Sequence, residues 1–407
     1  MLENNYHTLV SCCVKEAGKT IQDSIDDIRE AIDFCRYYAE EAKIIFKEKH
    51  LPGPTGEKNI YQLKGRGLTC VISPWNFPIA IFVGQMIASL VCGNVTIVKP
   101  AEQTSNLSYV IFNLLLKAGL PKNAAALILG KGEEICPLIF SNINLQNVVF
   151  TGSLETAKII QKQLHERDDL INLIAETGGL NCLIADSSAL TEHIVEDVIN
   201  SAFNSAGQRC SALRLLCIQD EIYNDLLKML NGSMRELKIG NPEDLDTDMG
   251  PIINKESFKK LSSHIEFFKE SGMPVHQSTD QKFSNHIPPT IIEIDKLSDL
   301  KNEQFGPILH ILKFKSDEVD ELIREVNDSG FGLTMGIHTR IESRADMFSE
   351  KCNIGNIYIN RDMVGAVVGS QPFGGQGLSG SGYKAGGPNY LLQFLNEKVV
   401  SKNSVAF

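Results

Sequence analysis

The chain has 407 residues, 43% hydrophobic and 22% charged, an ordinary folded-protein composition at a length that calls for two packed lobes. A formal net charge of −11 argues against a surface built for nucleic acid or anionic lipid, and no apolar run reaches the roughly 18–20 residues of a membrane span. The first ten residues lack a secretory layout, and ten cysteines without any Cys-x-x-Cys pair fit neither a zinc site nor a disulfide framework; free thiols and a cytoplasmic location are expected.

Ile21, Ile25, Ile28 and Ile32 recur at helical spacing among charged residues, which predicts one amphipathic helix over 17–46. Pro52, Gly53, Pro54 and Gly56 break it. Short apolar strands are then predicted at 68–73, 94–98, 125–129, 147–150 and 170–175. Helical patterns at 79–92, 105–116 and 153–165 separate them. Such alternation implies a parallel sheet with helices on both faces. A second series of strands is predicted at 213–218, 308–314, 333–338 and 356–360, giving an α/β fold of two lobes joined near 176–180. The last segment, 374–407, opens glycine-rich and reads as an arm rather than core.

Ligands of open parallel sheets sit beyond the carboxyl ends of the strands. The first predicted strand ends in Ser73-Pro74-Trp75-Asn76-Phe77-Pro78, which holds the only tryptophan, and the second in Lys99-Pro100-Ala101-Glu102. Gly130-Lys131-Gly132, Thr151-Gly152-Ser153 and Glu176-Thr177-Gly178-Gly179 follow the next three. Each has a plainer reading. Gly130-Lys131-Gly132 lacks the third glycine of the phosphate fingerprint and serves equally as a turn, Lys99 as a solvated strand end, and Ser153 as a helix cap. Their coincidence at successive strand ends is what suggests a dinucleotide cleft, with helix starts available to phosphate.

The most distinctive local signal is Asn204-Ser205-Ala206-Gly207-Gln208-Arg209-Cys210-Ser211. A lone cysteine is most often an inert small core residue, and the other nine are read so. Cys210 is set among small polar residues beside Arg209, a cation that would favour the attacking thiolate, and Gly207 would let backbone approach a reacting group. A Cys–His hydrolase is the rival reading, but no histidine lies in a comparable motif.

Pro74-Trp75-Asn76-Phe77-Pro78, Lys99-Pro100-Ala101-Glu102-Gln103-Thr104, Phe150-Thr151-Gly152-Ser153, Glu176-Thr177-Gly178-Gly179, Gly207-Gln208-Arg209-Cys210, Glu303-Gln304-Phe305-Gly306-Pro307 and Pro372-Phe373-Gly374-Gly375 together resemble the ordered motif set of the aldehyde dehydrogenase superfamily. The stretches 73–104 and 201–214, with Gly365-Ala366-Val367-Val368-Gly369 and Ala385-Gly386-Gly387-Pro388, are similar to the L-glutamate γ-semialdehyde (1-pyrroline-5-carboxylate) dehydrogenase module of bacterial bifunctional proline-utilisation (PutA) proteins.

That resemblance implies an NAD-binding Rossmann-type lobe, an α/β catalytic lobe and a small β oligomerisation arm. It implies Cys210 as nucleophile, Asn76 with the Cys210 N–H as oxyanion donors, and Glu176 as general base. Lys99 and Glu102 would hold the adenosine ribose of NAD, with Pro74, Trp75, Gly132 and Gly178 around the cofactor. Ser153 would meet its pyrophosphate, Glu303 its nicotinamide ribose, and Phe305 would pack nearby. Arg209, Ser211, Gly365 and Ala366 would anchor the distal carboxylate of the substrate, with its aliphatic chain between Phe77 and Phe373. No metal is implied. Family members begin many tens of residues earlier. The expectation is therefore an N-terminally truncated NAD lobe over 1–178 with a flap at 52–66, a catalytic lobe over 179–373 and an arm over 374–407. A homodimer is implied, formed by the flap and a strand near 393–400, and a proline dehydrogenase lobe upstream in a longer protein. The reaction implied is NAD-dependent oxidation of L-glutamate γ-semialdehyde to L-glutamate in proline catabolism. Alternatives are another semialdehyde such as succinate semialdehyde, a CoA-acylating dehydrogenase, and a non-catalytic assembly fragment.

Overall fold

The computed structural model describes residues 1–403. Two helices, Tyr6–Ala17 and Ile21–Ile45, stand near the start of the chain; the second is the helix the isoleucine pattern predicted over 17–46, and the first was not predicted. Gly18 separates them at φ +65°, its N–H closing the first helix on the Val14 carbonyl at 3.1 Å. Thr20 then caps the second, its hydroxyl accepting from the Asp23 N–H at 3.2 Å. The buried face of that second helix carries Asp23, Ser24 and Asp27 as well as Ile28, Ala31, Phe34 and Tyr38. A pattern read from apolar residues alone assigns such carboxylates to solvent; here they face partners described below.

The five predicted strands of the first series form one sheet, in the spatial order Ala125–Leu127, Val95–Lys99, Leu68–Ile72, Leu145–Thr151, Asn172–Glu176, with every neighbouring pair parallel. Side chains alternate across it, as strand geometry requires. Val71, Val98, Val149 and Ile174 face a core shared with the long helix and with Ala80–Val91. Cys70, Ile72, Val148 and Phe150 face Cys136, Phe140, Ile160 and Leu164 on the other side. The order reverses between Leu68–Ile72 and Leu145–Thr151, so the loops after these two strands flank a crevice.

The second sheet has seven strands, in the order Val275–Gln277, Thr290–Ile294, Ile308–Phe314, Leu215–Gln219, Cys182–Ala185, Thr334–His338, Asn356–Ile359. Only the edge strand Val275–Gln277 runs antiparallel. Cys182–Ala185, Val275–Gln277 and Thr290–Ile294 were not foreseen. The first is a fully buried run of four residues, too short for any period to show.

A third sheet pairs Lys49–Leu51 and Leu395–Asn403 with the two edges of Glu57–Gly65, all antiparallel. The resemblance implied a flap at 52–66 and an arm over 374–407; of the second stretch, the strand from Leu395 onward lies in this sheet. Tyr390, Leu391 and Phe394 are buried in the core of the first sheet. Among the described residues no helix is long and apolar enough to cross a membrane. All ten cysteines are free thiols.

Candidate active site

The carboxyl ends of both parallel sheets open onto one cleft of about 1020 Å³. Its walls include Pro74, Trp75, Asn76 and Phe77 after the first strand, Ser153 after the fourth, and Glu176 and Gly178 after the fifth. Arg209, Cys210 and Ser211, then Glu303 and Phe305, and finally Gly365, Ala366 and Phe373 complete the wall from the second lobe. Lys99, Glu102 and Gly132 do not line it. They form their own trio, in which the Lys99 ammonium and the Gly132 N–H both donate to Glu102 Oε1, at 2.7 and 2.6 Å. Against the cost of burial, those donors hold the Glu102 carboxyl below its usual range.

Cys210 follows a turn of unusual backbone. Ser205, Ala206 and Gly207 take φ of +54°, +55° and +63° in succession. Only glycine suits the third position: a Cβ there would lie 2.2 Å from the Gly306 carbonyl oxygen. Gly207 thus brings the turn against a neighbouring loop, not against a reacting group as its sequence context suggested. Asn181 Nδ2 donates to the Cys210 and Ala212 carbonyls at 2.6 and 2.9 Å, pinning the residues that follow. Arg214, 1% exposed, donates to the Gly207, Arg209 and Gly306 carbonyls at 2.7, 2.9 and 3.1 Å, and to Glu303 Oε1 at 3.1 Å. It lies over the Phe305 ring at 5.3 Å, and that ring meets Trp75 edge-on at 5.6 Å. Arg214 therefore ties the turn before Cys210 to the loop that carries Glu303 and Phe305.

Asn76 is beside this turn, its Nδ2 donating to the Gln208 carbonyl at 3.1 Å. The Cys210 N–H donates to no backbone or side-chain group among the described residues, so it is available to a ligand. Arg209 does not activate the thiol. Its guanidinium donates to Asp23 at 3.0 Å and to Ser205 Oγ at 3.1 Å, and stacks on Phe77 at 5.4 Å. Burial, then the Glu303 and Glu176 carboxylates, push the Cys210 thiol up to about 12.

Burial also drives the Glu176 carboxyl well above its normal value, a rise the Gly375 N–H and the Lys384 charge oppose. A carboxyl poised this way suits proton transfer better than permanent charge. Glu303 is raised by burial too, with Arg214 pulling against it. It lies against Gly178, where a Cβ would come within 1.8 Å of Oε2.

A buried charged layer behind the cleft was not legible in the sequence. Lys19, 6% exposed, donates to the Asn76 carbonyl at 2.9 Å and to Asp27 at 3.4 Å, and lies 4.2 Å over the Phe77 ring. Asp27 also accepts from the Ala80 N–H at 2.8 Å. Phe77 consequently lies against two cations, Lys19 and Arg209. Glu30, on the same helix, lines the cleft, and burial with the neighbouring Asp27 charge raises it to about 7.

The chain matches the aldehyde dehydrogenase family over residues 1–400. It is 35% identical over 401 residues to the 1-pyrroline-5-carboxylate dehydrogenase of Staphylococcus aureus (strain MSSA476), covering 97% of this chain and 77% of that protein. It belongs to the aldehyde dehydrogenase family. It is also 44% identical over 421 residues to the bifunctional protein PutA of Klebsiella aerogenes, covering 100% of this chain but 31% of that protein, so it spans under a third of this relative's length. Among solved structures, a bifunctional proline utilization A (PutA) protein superposes with a TM-score of 0.97 at 44% identity, over 100% of this chain and 42% of that one. A mutant form of Thermus thermophilus 1-pyrroline-5-carboxylate dehydrogenase gives 0.94 at 31% identity, over 99% of this chain and 79% of that one. The fold is accordingly the aldehyde dehydrogenase fold, with its mixed α/β sheets.

The residues present fit a dinucleotide. The helix Leu154–His165 opens at Ser153 onto the cleft, and Gln85, which also lines it, has its Oε1 buried without a protein partner.

Proposed function

We propose that the chain oxidises L-glutamate γ-semialdehyde to L-glutamate with NAD, the second step of proline catabolism. The observation that carries this reading is the meeting of Cys210, Asn76 and Glu176 in one cleft with the switch-point loops of a five-stranded parallel sheet. The names of the relatives, with a likeness that runs the length of this chain, support the substrate. The cleft also suits its chemistry: Arg209, Ser211, Gly365 and Ala366 for the distal carboxylate, Phe77 and Phe373 for the methylenes, and Glu30 for an ammonium.

Cys210 Sγ attacks the aldehyde carbon as its proton passes through cleft water to solvent, so that the C–S bond forms and the carbonyl oxygen becomes an alkoxide. The developing alkoxide receives hydrogen bonds from Asn76 Nδ2 and the Cys210 N–H. A preorganised donor of this kind lowers a barrier by about 3 kcal/mol. Bound nicotinamide supplies the acceptor for the hydride that leaves the thiohemiacetal carbon, converting it to a thioester. Glu176 takes a proton from the water that then attacks the thioester, and the thiol is released with the product acid. Glu303 and Phe305 hold the nicotinamide end, Ser153 the pyrophosphate, and Lys99, Glu102 and Gly132 the adenosine end, with Pro74, Trp75 and Gly178 shaping the path between. The ionised carboxylate of Glu102 favours NAD over NADP, because it repels a 2′-phosphate.

NADH formation by the purified chain is expected with L-glutamate γ-semialdehyde and absent in Cys210→Ala. Comparable turnover on succinate semialdehyde with none on the glutamate form would reject the substrate. Glu176→Gln should accumulate acyl-enzyme visible by intact mass; unchanged turnover would remove the base and favour acyl transfer to CoA. The division into 1–178, 179–373 and 374–407, and a homodimer through the flap sheet, belong to the same reading. The outward Val399 and Val400, 57% and 39% exposed, support the dimer; a monomer mass by light scattering would refute it. A proline dehydrogenase lobe upstream is checked by the coding sequence that precedes Met1.

A further inference from the structure

The Glu176 carboxylate rests on the loop at 372–375, and what fixes that loop is a lysine from further along the chain. Lys384 Nζ donates to the Gly355 carbonyl and, at 3.2 Å, to Asn356 Oδ1. Asn356 then grips the loop from both sides: Nδ2 donates to the Pro372 carbonyl at 2.8 Å, and Oδ1 accepts from the Gly374 N–H at 3.2 Å. Gly374 is pressed between the two charged residues. A Cβ there would lie 3.3 Å from Glu176 Oε1, 3.3 Å from Lys384 Cα and 3.4 Å from its Cγ. The next residue, Gly375, directs its N–H at the Glu176 carboxyl. The nucleophile is anchored separately, by Asn181 and Arg214, and shares none of these contacts.

We propose that Lys384 is a positioning residue for deacylation: through Asn356 and the Gly355 carbonyl it fixes the loop that seats Glu176. This rests on the reading of Glu176 as the base for thioester hydrolysis. The consequence is a separation of steps. Attack by Cys210 and hydride departure need neither Lys384 nor Asn356, whereas water activation needs both.

The test compares Lys384→Met, Lys384→Arg, Asn356→Ala and Glu176→Gln in the full chain, with L-glutamate γ-semialdehyde and NAD. Stopped-flow fluorescence separates the first NADH burst from steady-state turnover. In Lys384→Met the burst rate should stay within about twofold of the unaltered chain while steady-state kcat falls about tenfold or more. The acid limb of kcat should move to higher pH, because removing a cation favours the neutral carboxyl. Lys384→Arg should restore most of the turnover, and Asn356→Ala should lower kcat without moving the acid limb. Unchanged steady-state turnover in Lys384→Met, equal loss of burst and steady state, or an unmoved acid limb overturns the proposal. If Glu176→Gln stalls and Lys384→Met does not, Lys384 alone is wrongly placed. If Glu176→Gln does not stall, the reading of the base falls with it.

Discussion

The resting state of Cys210 makes a quantitative prediction. Its thiol is pushed up to about 12, so at pH 8 roughly one site in ten thousand carries a thiolate. An unperturbed cysteine, near 8.5, is about a quarter ionised at that pH. Thiolate abundance alone would make Cys210 slower to alkylate by about three orders of magnitude. A more basic thiolate is intrinsically more nucleophilic, and a Brønsted slope near 0.4–0.5 returns roughly one and a half of those orders. The net expectation is alkylation about 50- to 100-fold slower than free cysteine at pH 8 without cofactor, before any steric effect. Iodoacetamide labelling with peptide-level mass spectrometry, run from neutral to alkaline pH, measures it. The rate should still be rising at the alkaline end. Glu303→Gln should quicken labelling at every pH below the midpoint, since the Glu303 charge raises the thiol and the amide can still accept from Arg214. A labelling midpoint near 8.5, or no response to Glu303→Gln, would refute the burial-and-carboxylate account.

Two further outcomes concern the scaffold. Gly207→Ala should lower the thermal midpoint by an amount corresponding to at least about 2 kcal/mol, since it joins a φ of +63° to a 2.2 Å approach on the Gly306 oxygen; a shift within error would show the turn relaxes freely. Asp23→Asn should cost about 3–5 kcal/mol at neutral pH, because it leaves the nearly buried Arg209 guanidinium without its carboxylate. Burial raises the Asp23 carboxyl, but Arg209 and Lys19 together hold it below its ordinary value. Its stabilisation is therefore complete above the unfolded carboxyl pKa and is lost as pH falls through the folded one. Urea midpoints of Asp23→Asn and the unaltered chain should converge in acid; a gap independent of pH would contradict the ion pair.

The strand ends carried most of what the sequence could say. Pro74 to Phe77, Ser153, Glu176 and Gly178 each follow a strand whose apolar run is legible, and a parallel sheet obliges such residues to meet. The parts that escaped reading are pairs distant in the chain. Asp23 and Arg209 are 186 positions apart, and Lys19 reaches an Asn76 carbonyl 57 positions on. No local period announces either contact, and a carboxylate on an amphipathic helix defaults to solvent when its partner is unseen. Arg209 illustrates the converse error. Adjacency in sequence to Cys210 suggested an electrostatic partner, yet its long side chain reaches back to the helix Ile21–Ile45 and pairs with Asp23 there. Arg214 and Asn181 were overlooked because their work is on carbonyl oxygens, which leave no trace in residue types.

The strand Leu395–Asn403 pairs residue for residue with Glu57–Gly65, and Tyr390, Leu391 and Phe394 just before it fill the core of a sheet completed by Asn172–Glu176. Synthesis must therefore run through the whole second lobe before the first can be sealed. A nascent chain halted at Ile359 would hold all five strands of that sheet and the helices against it while their shared core still lacked Tyr390, Leu391 and Phe394. The part of the chain translated first thus receives its last core residues from the part translated last.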